Sequence, residues 1–207
     1  MLTGTIGQQY GQNGDFLNEE DINPSRTYGL QLARVWGVFG AEFVADWNTS
    51  FKVPNAFLTE HPEVNAYMFN VIAKLPFGLH QAFQPYFSGG IGSIQMHTSL
   101  LAFDTATRST FNQKSTQSEF GYDLGAGTAA FAGHWGFRFD VRWYKASSSL
   151  DTTDQLTINN INPIGSRLTT IGDGTATGNG TAANNLTKAF VSGLDFWRAN
   201  IGLAFRW

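Results

Sequence analysis

Taken every second residue, the stretch Leu194 to Trp207 separates into two sets. Trp197, Ala199, Ile201, Leu203, Phe205 and Trp207 form one, and Phe196, Arg198, Asn200, Gly202, Ala204 and Arg206 the other. A period of two over that length is a strand signal, with one face continuously apolar. The same alternation recurs along the chain. Leu2, Ile6 and Tyr10 oppose Thr3, Thr5, Gly7 and Gln9. Tyr28, Leu30, Leu32 and Trp36 oppose Thr27, Gly29, Gln31 and Ala33, with Arg34 an exception expected near a strand end. Phe39, Phe43 and Trp47 oppose Gly40, Glu42, Val44 and Asp46. Phe87, Gly89 and Ile91 share a face. Phe120, Tyr122 and Leu124 oppose Gly121, Asp123, Gly125 and Gly127. Trp135, Phe137, Phe139, Val141 and Trp143 oppose Gly136, Arg138, Asp140, Arg142 and Tyr144. In 63–77, Val64, Tyr67, Met68, Val71, Ile72 and Leu75 also fit a helical stripe, but every neighbouring segment reads as strand, and strand is the expectation there.

The pattern predicts eight strands near 2–11, 26–36, 38–47, 63–77, 85–96, 116–132, 135–146 and 194–207. Polar, turn-rich connections fill 12–25, 48–62, 97–115 and 147–193, while Gly37, Gly133 and the region from Gly78 mark short ones. Long and short connections alternate. In an up-and-down order the long loops then share one end and the termini share the other with the short turns.

Composition sharpens this. Of 207 residues 42% are hydrophobic but only 14% charged, with 18 Phe and 6 Trp, against about 25% charged in a soluble domain. Mean hydropathy is nevertheless slightly negative, and no apolar run is long enough for a transmembrane helix. A β-barrel with alternating faces reconciles the two. The fold class expected is all-β: one eight-stranded antiparallel up-and-down transmembrane β-barrel over 1–207. There is no cysteine, and a net charge of −3 gives nucleic acid no electrostatic footprint. The opening MLTGTIGQQY is not a signal peptide, so an exported chain is expected to have had one removed ahead of it.

Alternation leaves open which face points outward. Trp36, Trp135 and Trp207 lie at the short-turn ends of their strands and Trp47, Trp143 and Trp197 at the long-loop ends, all on the apolar face. Ten steps of about 3.3 Å separate Trp197 from Trp207, a rise of roughly 25 Å at a barrel tilt, the height of a lipid band. Two aromatic girdles suit the two interfaces of a bilayer; a soluble lipocalin-like carrier has no reason to sort its Trp to both rims. The other face carries Glu42, Asp46, Lys74, Asp123, Arg138, Asp140, Arg142, Arg198 and Arg206. Turned to lipid, an Arg or Lys costs about 2–4 kcal/mol at the midplane. These nine are expected in the lumen, which in an eight-stranded barrel is just wide enough for side chains. A closed, paired network is favoured over a narrow pore.

QPYFSGGIGS (84–93), GYDLGAGTAAFAGHWGFRFDVRWY (121–144) and NIGLAFRW (200–207) resemble the small eight-stranded outer-membrane barrels of the OmpA/OmpX type. The resemblance implies a bacterial outer membrane and a C-terminal strand read by the barrel-insertion machinery, here ending on Trp207 where Phe is more usual. No peptidoglycan-binding domain is expected after the barrel.

Candidate chemistry is sparse. Some barrels of this size hydrolyse outer-leaflet lipid with a His and a Ser. Here His97 and Ser99 share a face, with Asp104 or Glu119 as orienting acids, and Ser attack with His as base would be the mechanism. An isolated H-x-S arises easily by chance, so no enzyme is expected. GDGTATGNG (172–180) lacks the Lys-Ser/Thr of a phosphate loop. Asp151, Asp154 and Asp173 have no calcium-loop spacing, and His61, His80, His97 and His134 no metal spacing. Neither cofactor nor metal is expected. The expected partners are outer-membrane lipid, the insertion machinery and a protein met by the outer loops, chiefly 147–192, through adhesion, docking or envelope integrity.

Overall fold

A computed structural model of the chain describes residues 1–11, 25–48, 58–75, 83–104, 109–147 and 194–207. They form eight strands: β1 (Leu2–Gly11), β2 (Ser25–Trp36), β3 (Phe39–Asn48), β4 (Leu58–Lys74), β5 (Phe83–Asp104), β6 (Ser109–Ala132), β7 (Trp135–Ala146) and β8 (Asp195–Phe205). Each pairs antiparallel with its sequence neighbours, and β1 pairs with β8, from Leu2↔Phe205 to Gly11↔Phe196, to close the barrel. Closure leaves no edge, so backbone donors and acceptors around the ring are satisfied within the sheet.

Alternation sets the faces. Along β2 the buried positions are Ser25, Thr27, Gln31 and Ala33, and the exposed ones include Tyr28, Leu30, Leu32 and Trp36. The segment with two candidate periods is strand: Val64, Ala66, Met68, Asn70 and Ile72 are buried and Phe69 and Val71 exposed. Arg34 points outward near the end of β2, its guanidinium 5.5 Å from the Trp36 ring. Two of the short connections are tight turns, Gly37-Val38 and Gly133-His134, each opened by a glycine at φ 64° or 65°. Positive φ at that place gives a hairpin turn the twist that antiparallel strands need.

Strand ends depart from the sequence pattern in places. β4 stops at Lys74 rather than 77, and begins at Leu58, inside the expected loop 48–62, with register irregularities between Leu58, Glu60 and Glu63. The larger correction concerns 97–115. That segment is not a long loop: β5 runs on to Asp104 and β6 starts at Ser109, paired continuously from His97↔Thr116 to Asp104↔Ser109. β7 ends opposite Gly121. The β5–β6 ladder continues 12 residues past it, from Gly121 to Ser109, about 40 Å along the strand. Periodicity missed this because alternation reports a face packed on something apolar; strands held by backbone pairing alone need no such pattern.

Gly37→Val puts a β-branched residue at positive φ and is expected to cost about 1–2 kcal/mol. Gly4→Ala, whose added carbon meets nothing within 4 Å, is expected to be neutral. Urea unfolding of the lipid-refolded barrel, followed by tryptophan fluorescence, checks both.

Candidate functional site

The inward positions of β7 are Gly136, Arg138, Asp140, Arg142 and Tyr144, so one strand delivers two guanidinium groups flanking a carboxylate. The facing wall supplies Glu42 from β3, and the neighbouring strand β6 supplies Asp123. Glycines leave them room: a side-chain carbon added at Gly125 would lie 2.8 Å from Arg142 Cγ and 2.9 Å from Ser88 Oγ.

Arg142 meets all three carboxylates. Its Nε donates to Asp140 Oδ1 at 2.5 Å, Nη1 to Asp123 Oδ2 at 3.0 Å and Nη2 to Glu42 Oε2 at 2.5 Å. Arg138 donates from Nη2 to Asp140 Oδ2 at 3.1 Å, from Nη1 to Glu42 Oε1, and from Nε to Tyr86 Oη at 2.6 Å. The Tyr86 hydroxyl in turn donates to Asp140 Oδ2, and Asn70 Nδ2 donates to Asp123 Oδ2 at 2.9 Å. Side chains of these five charged residues are at most 1% exposed. Burial at that level is tolerated because each charge has opposite charges and hydrogen bonds around it.

A second group lies toward the long-loop end. Arg198 Nη1 is 3.7 Å from Asp46 Oδ2, Nε donates to Gln9 Oε1 at 2.8 Å, and Nη2 donates to the Val64 carbonyl at 2.7 Å. Tyr144 Oη donates to Asp46 Oδ2 at 2.7 Å. The Arg198 guanidinium lies 5.2 Å from the Tyr144 ring and 4.9 Å from the Phe196 ring, which are themselves stacked at 4.9 Å. Around this pair the lumen is apolar, filled by Val44, Val64, Met68, Ile94, Met96 and Phe196. The expectation of a closed, charge-paired lumen did not include this tier; the signal for it was Val64 and Met68, inward apolar residues that helped make β4 look helical.

Of the nine lumen charges expected, seven therefore join ion pairs. Lys74 and Arg206 do not. They sit at the short-turn end, where Arg206 Nε donates to the Gly133 carbonyl at 2.8 Å and its guanidinium lies 4.7 Å from the Phe131 ring. The nine divide into a network of five, a separate Arg198–Asp46 pair and two cations in no ion pair among the described residues, because alternation reports a side chain's face but not its height in the barrel.

The hydrolase candidates are not assembled. His97 Nδ1 is 2.8 Å from Thr116 Oγ1 on the outward face, whereas Glu119 shares the inward set of β6 with Gly121 and Asp123 and pairs with Ile94 across the ladder. A β-sheet separates it from His97, so it cannot orient the imidazole. The side chains of Ser99, Asp104 and His61, together with His80, Asp151, Asp154, Asp173 and 172–180, lie outside the described residues. Among the described residues no three His, Asp or Glu are grouped to hold a metal ion.

Outside, the six tryptophans face away from the lumen, with Trp36 57%, Trp135 56% and Trp207 77% exposed at the short-turn end. At the other end Trp143 and Trp197 are cross-strand partners, and Trp47 Nε1 donates to Tyr67 Oη at 3.1 Å. Among the described residues, outward charges occur only near these rims: Arg34 at one, Arg26, Glu63, Lys145 and Asp195 at the other.

The family model of the outer membrane protein beta-barrel domain matches residues 2–162. No curated protein sequence matches the chain. Among solved structures, Neisserial surface protein A superposes with a TM-score of 0.56 at 7% identity, over 100% of this chain and 96% of that one. The attachment invasion locus protein Ail of Yersinia pestis superposes at 0.52 and 8%, again over 100% and 96%. At such identities the likeness is one of fold.

Arg142→Met strips three buried carboxylates of a shared partner and is expected to destabilise the barrel by about 3–5 kcal/mol. Replacing Arg198, whose Asp46 contact is longer and whose guanidinium also rests on two rings, is expected to cost less. Paired urea titrations in lipid compare the two.

Proposed function

The chain belongs to the outer membrane protein beta-barrel domain family, and we propose that it is a closed, non-enzymatic barrel of the bacterial outer membrane whose outer loops act on other molecules. One observation carries the closed state: the lumen is crossed by the buried pairs of Arg138 and Arg142 with Glu42, Asp123 and Asp140, under the apolar tier of Met68, Ile94 and Phe196. An ion passing through must break buried ion pairs and then cross a layer that is apolar around the Arg198–Asp46 pair.

Placement in the outer membrane has its own support. Between the two Trp rims the outward face is mostly Leu, Ile, Val, Phe, Ala and Gly, with Gln8, Pro85 and Thr128 among them, and its one charge among the described residues is Arg34, one outward step inside Trp36. Lipid is the partner of that belt, and the Trp and Tyr rings at its borders suit the headgroup regions. The strand β8, apolar on its lipid side and followed by Trp207, is what the insertion machinery would read.

The loop reading rests on division of labour. A filled lumen and a lipid-covered wall leave the long-loop end as the surface free to meet other molecules. The β5–β6 ladder extends there, and the longest connection, 148–193, joins β7 to β8 at the same end. One fold neighbour is named for attachment and invasion; the attachment reading for this chain rests on its own loops, since the two share 8% identity. Hydrolysis of lipid at His97 is disfavoured because Glu119 lies across the sheet from it.

Purified chain refolded in detergent is expected to migrate as a compact band unheated and a slower one after boiling, and a water-soluble monomer without detergent overturns the membrane reading. In planar bilayers it is expected to give no stepwise conductance, and reproducible steps overturn the closed lumen. Replacing 148–193 by a short Gly-Ser linker is expected to keep the gel shift and abolish attachment of expressing cells to host-cell or matrix surfaces. Undiminished attachment overturns the loop reading.

A further inference from the structure

The short-turn end of the barrel is built unlike the long-loop end. A cavity of about 500 Å³ opens there, floored by Tyr86 and Arg138. That is the size of a small-molecule site, typically about 300–1,000 Å³. Its charged lining side chains are Arg34, Lys74, Arg138 and Arg206, with no Asp or Glu among them. Two of these are already committed: Arg138 to Glu42 and Asp140, and Arg34 to the outer surface over Trp36. The side-chain cations left facing the cavity are Lys74 and Arg206; the Met1 α-ammonium, also in the lining, donates to the Ala33 carbonyl at 2.8 Å.

Neither belongs to an ion pair among the described residues. They are close enough for the Arg206 charge to act on Lys74, so the two repel one another inside a partly enclosed space. Both side chains are only partly shielded from water, and an anion seated between them would relieve that repulsion. The walls beside them are apolar, with Ala33, Ile72 and Ala129 each 3% exposed and Phe131 at 9% under the Arg206 guanidinium. The Arg206 guanidinium is held in place by its own contacts, whereas Lys74 is anchored through its backbone. Arg206 is tied to the Gly133 carbonyl beside one tight turn, and the Lys74 backbone N–H donates at 2.8 Å to the carbonyl of Val38 in the other.

We propose that this cavity binds a small organic oxyanion, a phosphate monoester with a short apolar body, its phosphate between Lys74 and Arg206 and its body against Ile72, Ala129 and Phe131. Phosphate is favoured over a single carboxylate because two cations from opposite walls match a group whose oxygens point in several directions. The anion comes either from solution on the short-turn side or from a phospholipid headgroup at that rim.

The test is calorimetric titration of phenyl phosphate into the full chain in nanodiscs of zwitterionic lipid, with each variant first checked for its heat-dependent gel shift. Wild type is expected to bind saturably, inorganic phosphate more weakly, and uncharged benzyl alcohol not at all. Lys74→Gln and Arg206→Gln are each expected to weaken phenyl phosphate by about tenfold, one charge-assisted contact. Lys74→Arg is expected to retain affinity, and Lys145→Gln, at the other rim, to change nothing. Nanodiscs containing anionic phosphatidylglycerol distinguish the sources, since competition there assigns the site to a headgroup and no competition to a soluble ester. Absence of saturable binding in folded wild type overturns the proposal. So does affinity unchanged in Lys74→Gln, the variant least able to disturb the closing strand.

Discussion

Every backbone N–H and C=O that lies in lipid must find its partner inside the protein, and here the requirement is met by the seam between β1 and β8. Without that seam the sheet would present two unpaired edges to hydrocarbon. With it, eight strands become one ring, and each position along a strand is committed to lumen or lipid. The seam joins the least apolar strand to one of the most apolar: β1 offers Leu2, Gly4, Ile6, Gln8 and Tyr10 outward, against Trp197, Ala199, Ile201, Leu203 and Phe205 of β8. Pairing is carried by backbone, so β1 needs only the right parity and a few large outward residues to serve.

Closure creates the second problem, a lumen too narrow to be left to water and lined by whatever does not face lipid. The chain fills it with charge at mid-height and with aliphatic and aromatic side chains above. The charged layer has three carboxylates to two guanidiniums, with the Tyr86 hydroxyl and the Asn70 amide as further donors. Its partners come from β3, β5, β6 and β7, so the ion pairs brace opposite walls in the way a hydrophobic core braces a soluble sandwich. Arg198 is the hinge between the layers: one edge of its guanidinium faces Asp46 and Gln9, and its flat surface lies on Tyr144 and Phe196.

Much of this was legible in the residues, and the illegible parts share a cause. Alternation reports which face a side chain occupies, so Glu42, Arg138 and Arg142 could be assigned to the lumen and Trp36 and Trp197 to the outside without coordinates. It does not report height or which side chains meet across the lumen. Glu42 and Arg142 are 100 residues apart in the chain, and their contact depends on strand tilt and stagger that no local pattern encodes. For the same reason Lys74 and Arg206 were counted with a network that lies too far up the barrel to include them. The β5–β6 ladder beyond Gly121 was missed for a related reason: from 98 to 115 the sequence has no sustained alternation of apolar and polar residues, and backbone pairing needs none.

The two ends of the lumen thus solve different problems. Toward the long loops, Val64, Met68, Ile94, Met96 and Phe196 pack around the buried Arg198–Asp46 pair. Toward the short turns, the charged layer is met by an open cavity, and Lys74 and Arg206 at its mouth join no ion pair among the described residues. A barrel meant only to be plugged would be served by apolar filling at both ends, since an apolar side chain at Lys74 would bury area without the cost of an unpaired charge. Keeping Lys74 and Arg206 there is sensible if something negative spends time between them. The lumen is then open to an anion from the short-turn side.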